Sequence, residues 1–192
     1  MISQQSLPTK QFTSEKAWQT WLAKNHDKSN GVWMMFAKKN ADKPTVTYAE
    51  ALDVALCYGW IDGQKNSYDE QYWIQKFVPR QPKSIWSKKN IEHTERLIKE
   101  GKMQPAGLKA IESAKANGSW DKAYDAQSNM TIPEDFLKAL RKNKKANAFF
   151  KTLNRTNLFS IAFRLQTAKK EETKQKRIAT IIAMLEREEK FH

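Results

Sequence analysis

The run FVPRQPKSIWSKKN, Phe77 to Asn90, sets one arginine, three lysines, two serines and a tryptophan among two prolines. Ser87 has the chemistry of a helix N-cap, so Arg80, Lys83, Ser84, Ser87 and Lys88 surround a predicted helix start. The free N–H groups and the dipole at such a start favour anions, and Trp86 offers a flat wall. The chemistry on offer is anion capture. The same residues also describe ordinary structure, with Ser87 capping the helix, Trp86 in the core and the cations solvated. Upstream, in Trp60-Ile-Asp62-Gly63, a carboxylate following a tryptophan has the makings of a general base. Asp-Gly is also a plain signal for a bend or bulge. A pocket of Trp60, Asp62, Arg80, Ser84, Trp86 and Ser87 would suit a small anionic ligand or substrate.

A second cluster is defined by charge. Residues 138–177 hold 13 lysines and arginines against only Glu171 and Glu172, whereas the other 152 residues carry 21 basic and 19 acidic side chains. With few acids to pair at i,i+4, the segment repels itself and attracts polyanions. Lys169, Lys170, Lys174, Lys176 and Arg177 are its candidate residues for holding a polyanion. The segment has no Trp or Tyr, and Phe149, Phe150, Phe159 and Phe163 fall at core spacing. The expected contact with a polyanion is therefore weak and indifferent to base sequence.

Other chemistries find little support. His26, His93 and His192 lack paired ligand spacing, so no metal site is expected. The lone Cys57 fits a buried structural thiol in a reducing compartment. There is no GxGxxG, P-loop or GxSxG pattern, and no cofactor is implied. The longest apolar run, VWMMFA at Val32 to Ala37, falls well short of the roughly 18 residues of a membrane span. The first ten residues lack a secretory apolar region, so a cytoplasmic location is expected.

These groups need elements to hold them. Behind Thr13 and Ser14, Ala17, Trp18, Trp21 and Leu22 make the stripe of an amphipathic helix. VWMMFA reads as a strand after an Asn30-Gly31 turn, and Thr47-Tyr-Ala-Glu50 as a capping box for a helix ending at Gly59. Trp60 to Val78 reads as a hairpin turning at Asn66 to Asp69. Helices follow over 88–100 and from Pro105, the latter with Leu108, Ile111 and Ala114 inward. Thr131 has the spacing to Glu134 of a further capping box. Two apolar helical stripes, Leu158 to Leu165 and Ile178 to Leu185, flank a polar gap at 169–177. The predicted fold is α+β: a small antiparallel sheet of about three strands packed by helices, then a helical C-terminal half. The division falls into residues 1–130 and 131–192.

The motifs CYGWIDG (57–63), FVPRQPKSIWSKKN (77–90), EGKMQPAG (100–107), NGSWDKAYD (117–125) and AKKEETKQKRI (168–178) together resemble the YdeI/OmpD-associated family of bacteriocin-protection proteins. Lys174 stands where that family usually has arginine. The resemblance implies a soluble bacterial protein linked to protection against bacteriocins or envelope-active peptides, and it carries over no catalytic residues or cofactor. Two functions follow as expectations: a non-enzymatic protection or stress protein that binds an anionic partner, or an enzyme or small-ligand binder using the Trp60–Ser87 pocket.

Overall fold

The computed structural model describes residues 7–125, 130–168 and 170–191. The chain divides into two units, Met1–Ala123 and Tyr124–His192. The first carries strand β1 (Thr9–Gln11), helix α1 (Glu15–Asn25), strand β2 (Val32–Ala37), helix α2 (Tyr48–Cys57), strands β3 (Trp60–Ser67) and β4 (Tyr72–Pro79), and helices α3 (Lys88–Lys99) and α4 (Pro105–Ala116). The strands form one sheet in the order β1-β2-β4-β3.

Local chemistry starts α1 and α2 where the sequence expects. The Ala17 amide donates to Ser14 Oγ (3.2 Å) at the start of α1. At α2, the Glu50 amide donates to Thr47 Oγ1 (3.3 Å) and the Thr47 amide to Glu50 Oε2 (2.9 Å), satisfying two orphan donors reciprocally. Along β2, Val32, Met34 and Phe36 are buried in alternation, as period 2 requires of a strand with one covered face. That face packs on an aromatic cluster centred on Trp18, which is fully buried and stands 5.3 Å from Trp21 and 5.8 Å from Phe77 between ring centroids. Trp18 Nε1 donates to the Ala51 carbonyl (3.0 Å), joining α1 to α2. Trp60 Nε1 donates to the His26 carbonyl at the same distance, joining β3 to the end of α1.

The second unit holds α5 (Glu134–Arg141), α6 (Lys144–Phe150), α7 (Arg155–Gln166) and α8 (Glu171–Glu186). Phe136, Leu140, Ile161, Leu165, Ile181 and Leu185 make its separate core. Asn143 and Asn154 cap α6 and α7, each accepting at 3.0 Å from the amide three residues on.

The α+β class and the helical C-terminal half are as expected, but four details differ. The sheet has four strands, and β1 pairs with β2 in parallel (Thr9 with Trp33). β1 is three polar residues, with no alternation to betray it, and only pairing with β2 defines it. Leu108 is exposed, because the inward face of α4 is Gly107, Ile111 and Ala114. Helix α5 starts after Pro133 without a side-chain cap, so Thr131 does not form the expected box. Most of the polar gap is helical: α8 begins at Glu171, whose acidic first turn complements the helix dipole.

A candidate anion-binding cleft

In the first unit a cleft of about 250 Å³ opens between α4 and the segment that leaves β4. Its floor is the small-residue face of α4, where Ala106, Ala110 and Ala114 recur at i,i+4 beside Ser113. His26, Tyr58, Trp60, the segment Pro79 to Pro82, Trp86 and Lys109 complete the lining, with Trp60 paired to Pro79 across the β3–β4 ladder. Gly59 is required at the join of wall and floor. It has φ +72°, and a Cβ there would lie 2.8 Å from the Ala106 carbonyl oxygen.

The Pro79–Trp86 wall is held at several points. The Arg80 amide donates to Gly59 O (2.9 Å), the Ser84 amide to Gln81 O (2.8 Å) and the Gln81 amide to Ser84 Oγ (3.1 Å). Asn117 Nδ2, just past α4, donates to Pro82 O (2.7 Å). The Arg80 guanidinium lies over the Trp86 ring, 3.6 Å from its centroid, and Nη1 donates to Ile85 O (3.4 Å). Stacking preserves the charge of a guanidinium while limiting its freedom, which suits it to hold an anion in a fixed orientation. Trp86 is itself backed by Trp120, at 4.9 Å between centroids. His26, also in the lining, has Nδ1 3.0 Å from Leu22 O. A carbonyl only accepts, so that nitrogen carries the proton, and in the neutral ring Nε2 is the acceptor.

Of the eight residues picked out for a pocket in this unit, Trp60, Arg80 and Trp86 line the cleft; the others do not. Asp62 sits at a β-bulge, where the register of β3 on β4 shifts between Asp62 and Lys65. Its Oδ2 accepts from Tyr48 Oη (2.8 Å) and Gln75 Nε2 (3.4 Å). Ser84 closes the turn just described, and Ser87 caps α3, its Oγ accepting from the Asn90 amide (3.1 Å). Lys83 and Lys88 are exposed outside the lining. His26, Tyr58 and Lys109 also line the cleft without having been expected in a pocket, and the i,i+4 recurrence of Ala106, Ala110 and Ala114 is the local signal of its floor.

The basic group of the second unit is more engaged than charge counting implies. Lys169 lies outside the described residues. Lys170 is exposed just before α8. Lys174 pairs with Asp135 and, by its hydrogen bond, holds that carboxyl below its ordinary range. Lys176 pairs with Glu172 (2.7 Å), and Arg177 Nη1 donates to Arg164 O (2.5 Å). By contrast Lys138, Lys142, Lys144, Lys145 and Lys151, on and beside α5 and α6, are exposed and make no ion pair among the described residues.

Cys57 is buried, and burial, followed by the Asp53 charge, pushes its thiol up to about 11. A thiol pKa raised on folding contributes stability that is complete below the unfolded value, near 8.5 to 9, and is lost as pH rises through about 11. Wild type is therefore expected to lose more stability than Cys57→Ala between pH 8.5 and 11 in urea titrations; parallel losses would show that the thiol is not protected. Among the described residues no helix is long and apolar enough to cross a membrane.

Two family models match the chain. Residues 10–110 match the one described as Domain of unknown function (DUF8412), and residues 129–188 the one described as Bacteriocin-protection, YdeI or OmpD-Associated. The likeness to the YdeI/OmpD-associated family is thus located in the C-terminal part, while the WIDG and PRQPKSIWS segments fall in the other match. No curated protein and no solved structure gives a significant match.

Proposed function

The chain belongs to the DUF8412 family, and from that premise we propose a cytoplasmic, non-enzymatic stress or bacteriocin-protection protein that works by holding a small anionic molecule in the α4 cleft. The observation that carries this is the convergence of Arg80 and Lys109, two cations far apart in the chain, on a cleft floored by alanines and walled by Tyr58 and Trp86. Apolar walls with a few convergent polar groups are the usual make-up of a small-ligand site. A ligand with one anionic group and a flat apolar body satisfies both halves of that lining. The protection role is supported by the match of residues 129–188.

The test uses phenyl phosphate as probe, with tryptophan emission as readout, since Trp60 and Trp86 line the cleft. Ala110→Leu is expected to fill the floor and abolish the response while far-UV circular dichroism is unchanged. Lys109→Glu, at an exposed position, is expected to weaken binding about tenfold. Wild-type binding in both variants would remove the cleft from consideration.

The exposed lysines of α5 and α6 favour a second mode of anion binding, in which the C-terminal unit attracts polyanions by charge alone. A reading as an enzyme rests on His26, whose neutral ring would present Nε2 as a base. It predicts that a ligand copurified with the wild type is converted on incubation and is left intact by His26→Gln; recovery of unchanged ligand from both decides for binding.

A further inference from the structure

The C-terminal unit contains a groove of about 560 Å³ that the cleft does not account for. Phe163, Ile181 and Phe191 give it an apolar surface. Arg164, Lys176 and Arg177 supply its charge, and no carboxylate is in the lining among the described residues. The two guanidiniums are positioned by the protein. Arg164 lies over the Phe191 ring, 3.9 Å from its centroid, and its Nη1 donates to Ser160 O (3.3 Å). Arg177 Nη1 donates to Arg164 O (2.5 Å). Each such bond uses one N–H of the five that a guanidinium carries.

Three threonines complete the lining. The Thr167 and Thr180 hydroxyls donate to Phe163 O (2.6 Å) and Lys176 O (2.9 Å), which leaves them only lone pairs to offer. Lys176 is held by Glu172 in an i,i+4 pair whose side chains are about three-quarters exposed, and such a pair is weak enough for the ammonium to turn to another anion.

We propose that this groove is a second small-molecule site, which takes an amphiphilic anion: a phosphate or carboxylate head against Arg164, Lys176 and Arg177, with an apolar body of about one or two rings on Phe163, Ile181 and Phe191. Charge complementarity selects an anion, because the lining is cationic without an acid. The aromatic and aliphatic surface distinguishes the ligand from a bare inorganic ion, and the volume matches a small molecule. This site is independent of the α4 cleft, and either can fail alone.

The experiment titrates the full chain with 2-naphthyl phosphate, followed by calorimetry and by amide chemical shifts, alongside 2-naphthol and inorganic phosphate. The expected result is a set of shifts at residues 163–181 and 191, with each of the two fragments binding at least tenfold more weakly than the whole. Thr180→Trp, at an exposed position of α8, is expected to fill the groove and abolish those shifts; Lys176→Glu should weaken binding about tenfold. The proposal is overturned if the shifts appear only at residues 26–114, if naphthol binds as tightly as its phosphate, or if both variants bind like wild type.

Discussion

Gly107→Ala is expected to lower the stability of the N-terminal unit by about 3 kcal/mol, at the upper end of what overpacking costs. A Cβ at this position would stand 2.3 Å from the Cys57 carbonyl oxygen and 2.7 Å from the Met103 Cε methyl. The methyl can move aside, but the carbonyl cannot. Cys57 O closes α2 and accepts the Gln104 amide (3.1 Å), the hydrogen bond that docks the start of α4 against the end of α2. In an exposed helix alanine would be favoured over glycine by about 1 kcal/mol, so the expected loss is net of a local gain. Gly118→Ala provides the control: its φ is +71° but nothing lies within 4 Å, so it should cost only about 1 kcal/mol. Urea unfolding followed by tryptophan emission reads this unit selectively, because all seven tryptophans lie at or before position 120. Equal midpoints for the two variants would mean that α2 and α4 are not closely packed. Phenyl phosphate binding should fall together with the stability of Gly107→Ala, since α4 is the floor of the cleft.

Raising salt from roughly 50 to 200 mM is expected to cut the affinity of the protein for duplex DNA by orders of magnitude, about a thousandfold if six phosphates are neutralised. Attraction of this kind is mostly counterion release, and its salt slope counts the cations involved. Changing Lys142, Lys144, Lys145 and Lys151 to glutamine should flatten the slope on duplex DNA by about 0.9 for each phosphate that is no longer neutralised. Lys174→Gln should leave the slope nearly unaltered, because its ammonium is already committed to Asp135. Its effect should appear instead as a modest loss of stability at neutral pH. A salt-independent affinity, or a Lys174→Gln variant that flattens the slope as much as the four together, would contradict this assignment.

How far the sequence could be read depended on the range of the interaction involved. The boundaries of α1, α2 and α3 were legible because Ser14, Thr47 with Glu50, and Ser87 act on amides within the next turn. The β3–β4 hairpin was legible for the same reason, its strands being joined by a short turn, but that turn lies at residues 68–71, because Asn66 and Ser67, expected in it, pair with Ile74 and Trp73. β1 was not, since Thr9, Lys10 and Gln11 become a strand only against residues more than twenty positions away. In the cleft, Arg80 and Trp86 stood out as a large aromatic and a cation among prolines. His26, Tyr58 and Lys109 did not, because what qualifies them is meeting across three segments, and no local pattern records that. Charge counting located the basic segment but could not tell Lys174, tied to Asp135, from Lys144, which is exposed.

The bulge in β3 also bears on self-association. β3 is an outer strand, and beside it lies β4, whose YWIQKFV run is rich in aromatic and β-branched residues with a single charge. A segment of that composition readily templates cross-β stacking when its edge is open. Here it is enclosed on both sides by β2 and β3, and the outer neighbour carries the Asp62–Lys65 irregularity followed by Lys65 and Asn66. A bulged, charged rim gives an incoming chain no continuous ladder to extend. Loss of β3 alone, by fraying or by proteolysis near the turn, would uncover the β4 edge, so the aggregation tendency of this protein should track the integrity of one eight-residue strand.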